Sequence, residues 1–311
     1  MTNATHKPTR IIPDSMITPP NEFNEDFYRN SSAKLTPKFE DILGKPYFEE
    51  DGFILYNCGC EEVLEKVIQS DTTFDLTVTS PPYNIGKDYE AIMPIADYVQ
   101  WCSDWMSSIH KATSANGTFW LNVGHLEVPT KGKCVPIPYL LWDKSEFYFL
   151  QEVVWHYGAG VQTKRRLSPR NEKWLLYVVN SEDYTFNLDD IRDPNVKYPN
   201  QKKNGKIRVN PLGKNPSDVW EIPKVTTGKN RSSKESVDHP AQFPLRVVER
   251  TIRASSNLYD LVFDPFSGSA TAGIAAYCLG RHFLGTEGEL LEAHLDNLNV
   301  VLDRVAEHRS L

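Results

Sequence analysis

From Phe53 onward the apolar residues follow two alternating rhythms. Short unbroken runs, FILYN (53–57), FDLTVTS (74–80), GTFWLNVG (117–124), YFLQEVVWHY (148–157) and KWLLYVVN (173–180), predict buried strands. Between them, apolar residues return at helical spacing: Val63, Leu64, Val67 and Ile68 in 61–69, and Tyr98, Trp101, Cys102, Trp105 and Ile109 in 95–112. The rhythm stops over a Pro-, Gly-, Lys- and Asn-rich stretch at 187–238. It resumes with a helix at 244–254, a strand at 260–266, a helix at 271–280, a strand at 282–287 and a helix at 290–305. This pattern predicts an α/β fold, a doubly wound and mostly parallel sheet with helices on both faces. The expected organisation is a partly extended N-terminal arm (1–52), two halves of one domain (53–186 and 239–311), and a small inserted region (187–238). The insertion is long for a connection within a compact domain, which makes it either functional or a small lobe.

Composition narrows the class. At 311 residues, 40% hydrophobic and 24% charged, the chain is an ordinary globular one. No run of 18 apolar residues offers a membrane span, and no secretory signal opens the sequence, so a cytoplasmic protein, monomer or homodimer, is expected. The five cysteines form no CxxC pair, and CGC at 58–60 is too tight for zinc ligands. Free thiols and no metal are expected. A net charge of −7 argues against nucleic-acid binding over the whole surface, but the charge is unevenly spread. Between Lys197 and Lys234 there are ten Lys/Arg and two Asp/Glu, and QTKRRLSPR (162–170) adds four basic residues and no acid. A solvated lysine-rich loop is the plain alternative to a nucleic-acid contact.

Two stretches carry chemistry. TSPPYN (79–84) ends a strand in two prolines, which remove two backbone donors and fix two φ angles. FDPFSGSATAG (263–273) ends a strand in Asp264 and enters a helix through a turn of small residues. Gly268, Ala270 and Gly273 stand there at G-x-G-x-x-G spacing. Small residues let a ligand approach the backbone at a helix N-terminus, and Glu287, closing the next strand, stands where an acid accepts hydrogen bonds from ribose. Each stretch follows an apolar strand. In an open parallel sheet ligands bind beyond the carboxyl ends, so neighbouring strands would set the two face to face. A structural turn, or a dinucleotide site in an oxidoreductase, would also fit the second stretch alone.

Taken together, the motifs resemble those of the S-adenosylmethionine-dependent DNA amino-methyltransferases, in the permuted order that puts the catalytic motif before the cofactor motif. TSPPYN looks like the family's catalytic corner and DPFSGSATAG like its DPFxGSGT loop. GRHFLGTEGE (280–289) is similar to GRxxxGxE, and HPAQFPLRVVERTI (239–252) to the stretch lining the cofactor site. RLSPRNEKWLLYVVN (167–180) resembles a segment whose Arg and Glu lie near the target-base pocket. The matches keep the family's order over roughly 53–305. Two departures stand out: Ala270 replaces the Gly of GSGT, and Gly59 replaces an Asp in GDcLexL, a contact that Glu61 could supply.

The resemblance implies a Rossmann-like methyltransferase with S-adenosyl-L-methionine as cofactor, double-stranded DNA as substrate and a restriction endonuclease as functional partner. It implies that 53–186 is the catalytic half, 187–238 the target-recognition region and 239–311 the cofactor-binding half. An exocyclic amine is a poor nucleophile, and two acceptors for its hydrogens would turn its lone pair toward the methyl group. Ser80 and the Pro81 carbonyl, held by Pro82, are the implied acceptors, and Tyr83 would stack on the flipped base. Asp264 would hold the methionine amino group. Pro265, Phe266, Gly268, Ser269, Ala270 and Thr271 would shape the pocket, Glu287 would bind ribose, and His239, Pro240 and Gln242 would line the methionine end. Lys164, Arg165, Arg166, Lys202, Lys203 and Arg208 would meet DNA phosphates. Serine at the head of SPPY points to N4 of cytosine rather than N6 of adenine. The absence of a Pro-Cys dipeptide argues against carbon-5 cytosine methylation. A catalytically weak DNA-binding relative is a third reading, suggested by Gly59 and Ala270.

Overall fold

The computed structural model describes residues 22–87, 91–158, 160, 162–225 and 242–288. The expected helix at 290–305, His239, Pro240 and part of the insertion lie outside them. A nine-stranded sheet forms the centre, in the order β1 (Phe48–Glu50), β2 (Phe53–Tyr56), β13 (His282–Thr286), β12 (Leu261–Asp264), β3 (Phe74–Thr79), β4 (Thr113–Val123), β8 (Asn171–Val178), β7 (Tyr148–His156), β11 (Val219–Glu221). Strands β2, β13, β12, β3 and β4 run parallel. Strands β1 and β8 are antiparallel to their neighbours. The parallel strands β2, β12 and β13 are buried at every residue and β3 at all but one, as expected for strands covered on both faces. Two short ribbons stand outside the sheet, β5 (His125–Val128) with β6 (Gly132–Pro136) and β9 (Lys202–Lys203) with β10 (Lys206–Ile207).

Apolar cores lie on both faces. On one, α5 (Leu245–Ser255) and α6 (Thr271–Cys278) bury Val247, Val248, Ile252, Ala272 and Ala275 against Phe53, Leu76 and Val262. On the other, α2 (Cys60–Ile68) and α3 (Ile95–Ala112) bury Val63, Leu64, Tyr98, Trp105 and Ile109 against Ile54, Phe119 and Phe263. Strand order reverses between the parallel neighbours β3 and β12: β3 leads through α3 to β4 on one side, and β12 leads through α6 to β13 on the other. Ligands in open α/β sheets bind beyond the carboxyl ends at such a switch point.

The expectation of an extended arm does not hold for 25–43, which forms helix α1 (Glu25–Leu43). Asn24 caps it by accepting a hydrogen bond from the Phe27 amide, Glu25 and Asp26 complement the dipole of its first turn, and Gly44 ends it at φ 86°. Its buried residues are few, Tyr28, Ser32 and Phe39, and Pro37 interrupts the run, so the periodicity is faint in sequence.

Candidate active site

The two chemical motifs stand side by side because β3 and β12 are hydrogen-bonded neighbours. A side-chain contact joins them directly: the Thr79 hydroxyl donates to Asp264 Oδ1 at 2.6 Å, one residue before the SPPY corner begins. The corner is braced on its far side. Tyr98 of α3 donates its hydroxyl to the Pro82 carbonyl (3.0 Å), and Asn84, at φ 60°, brackets the backbone of Met93 with both ends of its amide (2.7 and 2.9 Å). Among the described residues no donor reaches the Pro81 carbonyl.

Behind the corner lies a polar network that links four strands or strand ends. The Ser80 and Tyr83 hydroxyls are 3.0 Å apart. The Tyr83 hydroxyl also lies 2.9 Å from Asn122 Oδ1 on β4 and 3.3 Å from Glu172 Oε2 on β8. Tyr157, just past β7, donates to Glu172 Oε1 at 3.4 Å. Burial pushes the Glu172 carboxyl above the usual carboxylate range and the Tyr83 phenol well above its own. Gly124 makes room for this arrangement, since a Cβ there would come within 3.1 Å of the Tyr83 ring. Asn122, Tyr98 and Tyr157 were not legible as site residues, because Asn122 and Tyr157 join the corner only through sheet order and Tyr98 only through the packing of α3 on the sheet.

The loop after β12 is pinned to its surroundings. Ser267 donates its amide to the Thr286 carbonyl, Thr286 donates its hydroxyl to the Pro265 carbonyl (2.7 Å), and Glu287 accepts from the Gly268 amide (2.8 Å). The Ser269 and Thr271 hydroxyls pair at 3.0 Å. Phe266 packs on Trp101 and Trp105, with centroids 5.6 and 5.3 Å away. Gly273 permits the close seating of α6, since a Cβ would strike Phe283 and Phe53 at 2.5 and 2.6 Å. Gln242 is half-buried just ahead of α5.

Ala270 takes the left-handed conformation, φ 53° and ψ 29°, at the N-cap of α6. The family's glycine at this place has a backbone reason, because an L-residue there is strained by about 1–2 kcal/mol. Ala270→Gly is therefore expected to raise stability by roughly 1 kcal/mol, read as a higher denaturant midpoint at unchanged m-value.

Three carboxylates stand around the loop. Asp264 is 1% exposed, and its Oδ2 has no hydrogen-bond partner. Burial raises its pKa to about 7. Glu287 spends one oxygen on the loop. Glu61 accepts from the Trp101 indole (3.2 Å), and its Oε2 lies 3.0 Å from where a Cβ on Gly59 would sit. The carboxylate of Glu61 thus lies against the place where a side chain at position 59 would begin. An acceptor-only set of this kind suits a ligand rich in donors and positive charge; the residues present fit a sulfonium amino acid joined to a ribose.

The basic residues divide. Lys164, Arg165 and Arg166 are exposed on the loop from β7 to β8, which leaves the sheet at the same end as Tyr83 and Glu172. Lys202, Lys203 and Arg208 are exposed on the β9–β10 ribbon, whose Asn204–Gly205 turn has both φ angles positive. The Asp193–Lys214 bridge and ion pair tie the segment carrying that ribbon together.

A mostly parallel, doubly wound sheet with the SPPY corner beside a small-residue loop has the Rossmann-like methyltransferase architecture. The same fold is seen in PvuII DNA methyltransferase (cytosine-N4-specific), with a TM-score of 0.59 at 16% identity, covering 82% of this chain and 93% of that one. A family model described as DNA methylase, of the N6/N4 methyltransferases, matches residues 74–294. The type II methyltransferase M.ScaI of Streptomyces caespitosus is 56% identical over 281 residues, 89% of this chain and 90% of its own. The DNA adenine methyltransferase YhdJ of Escherichia coli (strain K12) is 30% identical over 75% of this chain and 79% of its own. The chain belongs to the N6/N4 DNA methylase family. That membership sets aside the oxidoreductase reading of GSATAG.

Proposed function

We propose that the protein is a site-specific type II DNA methyltransferase that uses S-adenosyl-L-methionine to methylate the exocyclic N4 amine of a flipped cytosine in double-stranded DNA. The observation that carries this reading is the 2.6 Å Thr79–Asp264 contact, which holds the SPPY corner against the GSAT loop on adjacent strands. The cofactor, when bound, supplies an electrophilic methyl group on a sulfonium. Asp264 Oδ2, Glu287 and Glu61 hold its ammonium and hydroxyl groups, and Phe266 with Trp101 excludes water from one side. Ser80 Oγ and the Pro81 carbonyl accept the two amine hydrogens and aim the nitrogen lone pair. The Tyr83 ring stacks on the base, and Lys164, Arg165 and Arg166 meet the DNA backbone. The ribbon carrying Lys202, Lys203 and Arg208 adds phosphate contacts within the 187–238 recognition region. The physiological partner is a restriction endonuclease that cuts the same sequence.

Serine at position 80 favours cytosine. Adenine N6 is the second reading, supported by the E. coli relative that is named an adenine methyltransferase. Labelled methyl transfer into DNA, followed by sequencing that distinguishes N4-methylcytosine from N6-methyladenine, tests both. N4-methylcytosine at one short sequence is the expected product, and N6-methyladenine alone would replace cytosine by adenine. The cofactor half is tested separately. Glu61→Gln is expected to weaken cofactor binding by roughly tenfold, as loss of a charged hydrogen bond does, with little change in thermal stability. Calorimetric titration checks it, and unchanged affinity removes Glu61 from the site.

A further inference from the structure

We propose that Glu172 is a positioning residue: as a neutral carboxyl it sets the direction of the Ser80 hydroxyl through Tyr83. The proposal rests on the methyl-transfer reading above and goes beyond it by assigning a protonation state and a task to a group that touches neither cofactor nor amine.

The argument is a count of protons. The Tyr83 hydroxyl lies within reach of three oxygens, Asn122 Oδ1 at 2.9 Å, Ser80 Oγ at 3.0 Å and Glu172 Oε2 at 3.3 Å, yet has one proton to give. Asn122 donates its amide to the Lys173 carbonyl (3.2 Å), which turns Oδ1 toward the network as an acceptor. If Glu172 is ionised, Asn122 Oδ1 and Glu172 Oε2 both compete for the Tyr83 proton. The charged oxygen wins, and Ser80 is drawn toward Asn122, 3.4 Å away. If Glu172 is neutral, the count closes. Glu172 donates to the Tyr83 oxygen, Tyr83 donates to Asn122, and Ser80 donates to the second lone pair of Tyr83. Ser80 thus gives its proton to Tyr83 rather than to Asn122, and that choice sets the direction in which its lone pairs meet an amine hydrogen.

The surroundings favour the neutral form. The groups facing the carboxyl are the Tyr83 and Tyr157 hydroxyls and, farther off, the Lys224 ammonium, 5.2 Å over the Tyr157 ring. Among the described residues Glu172 has no ion-pair partner. The raised pKa has burial as its main cause, with the tyrosine hydrogen bonds and Lys224 acting the other way.

The test compares single-turnover methyl transfer into DNA against pH for the wild type, Glu172→Gln and Glu172→Ala, with cofactor affinity measured on the same samples. A glutamine amide donates as the neutral acid does but does not titrate. The wild-type rate should fall about tenfold per pH unit above the Glu172 pKa. Glu172→Gln should keep the low-pH plateau within about threefold and lose that limb, and Glu172→Ala should be down about tenfold or more at every pH, both binding cofactor like the wild type. Glu172→Gln as slow as Glu172→Ala, or showing the same alkaline limb as the wild type, overturns the proposal. A wild type that transfers no methyl to DNA overturns the methyltransferase reading and this proposal with it, an outcome distinct from failure of the Gln variant alone.

Discussion

Replacing Ser80 with alanine is expected to slow methyl transfer by roughly two to three orders of magnitude, the scale seen when one preorganised polar contact to a developing charge is deleted. Cofactor affinity should stay near that of the wild type, because the loop proposed to bind it is held by hydrogen bonds of Thr79, Thr286 and Glu287, none of which involves the Ser80 side chain. In the proposed site the amine keeps one acceptor, the Pro81 carbonyl, which the ring of Pro82 fixes, with Tyr98 bracing the Pro82 carbonyl, and which does not depend on the serine. Tyr83→Ala should act differently. Losing the stacking surface costs about 1–3 kcal/mol, or roughly five- to 150-fold, and it should appear in binding of the target base as well as in rate. Tyr83→Phe keeps the ring and removes only the hydroxyl that joins Ser80, Asn122 and Glu172, so it isolates the network from the stack. Rapid-quench transfer with labelled cofactor, alongside calorimetric cofactor titration, separates these effects. Wild-type turnover in Ser80→Ala would remove the serine from the reaction.

The parts of this site that are local in sequence were legible, and the parts assembled by the sheet were not. Apolar runs such as FDLTVT and LVFD are buried on both faces, so their length and hydrophobicity alone mark them as central strands. Their ends then carry SPPY and GSAT, and the expectation that these face one another follows from the rule for parallel sheets. Asn122 lies mid-run in GTFWLNVG, where nothing but its polarity distinguishes it. Its meaning depends on β4 lying beside β3 and on β8 running antiparallel beside β4, which brings Glu172 to the same end. Ala270 is similar: a single methyl reads as a mild departure, whereas φ 53° makes it a backbone strain. Helix α1 was missed because a helix fixed by a cap, a charged first turn and three buried side chains leaves little hydrophobic rhythm.

The Asp264→Asn variant is expected to make the free protein more stable while weakening its hold on the cofactor. Asp264 accepts from the Thr79 hydroxyl and the Phe266 amide through Oδ1, but Oδ2 is buried with no partner, and burial lifts the pKa from 3.8 to about 7. The sign follows from that direction. The folded state binds this proton more tightly than the unfolded chain, so the associated stability is full below about pH 4 and is lost as pH rises through 7. Above pH 7 the buried charge costs the free protein at most about 4 kcal/mol. Asparagine carries no charge, so Asp264→Asn should unfold at higher denaturant than the wild type at pH 8, and the gap should narrow toward pH 5. On the proposed reading a cofactor ammonium reverses the balance, because it supplies the opposite charge that Oδ2 lacks. Wild-type affinity should therefore be highest above pH 7 and fall about tenfold per pH unit below it. Asp264→Asn should bind roughly ten- to a hundredfold more weakly at pH 8 and show no such slope. Denaturant unfolding with and without S-adenosyl-L-methionine at pH 5 and 8 reads both effects in one experiment, since ligand binding adds to the wild type what it withholds from the variant. A variant that is less stable at pH 8 and still binds normally would mean that Oδ2 faces no ligand. The opposite pair of results would mean that the same buried oxygen strains the empty site and supplies the cofactor's affinity.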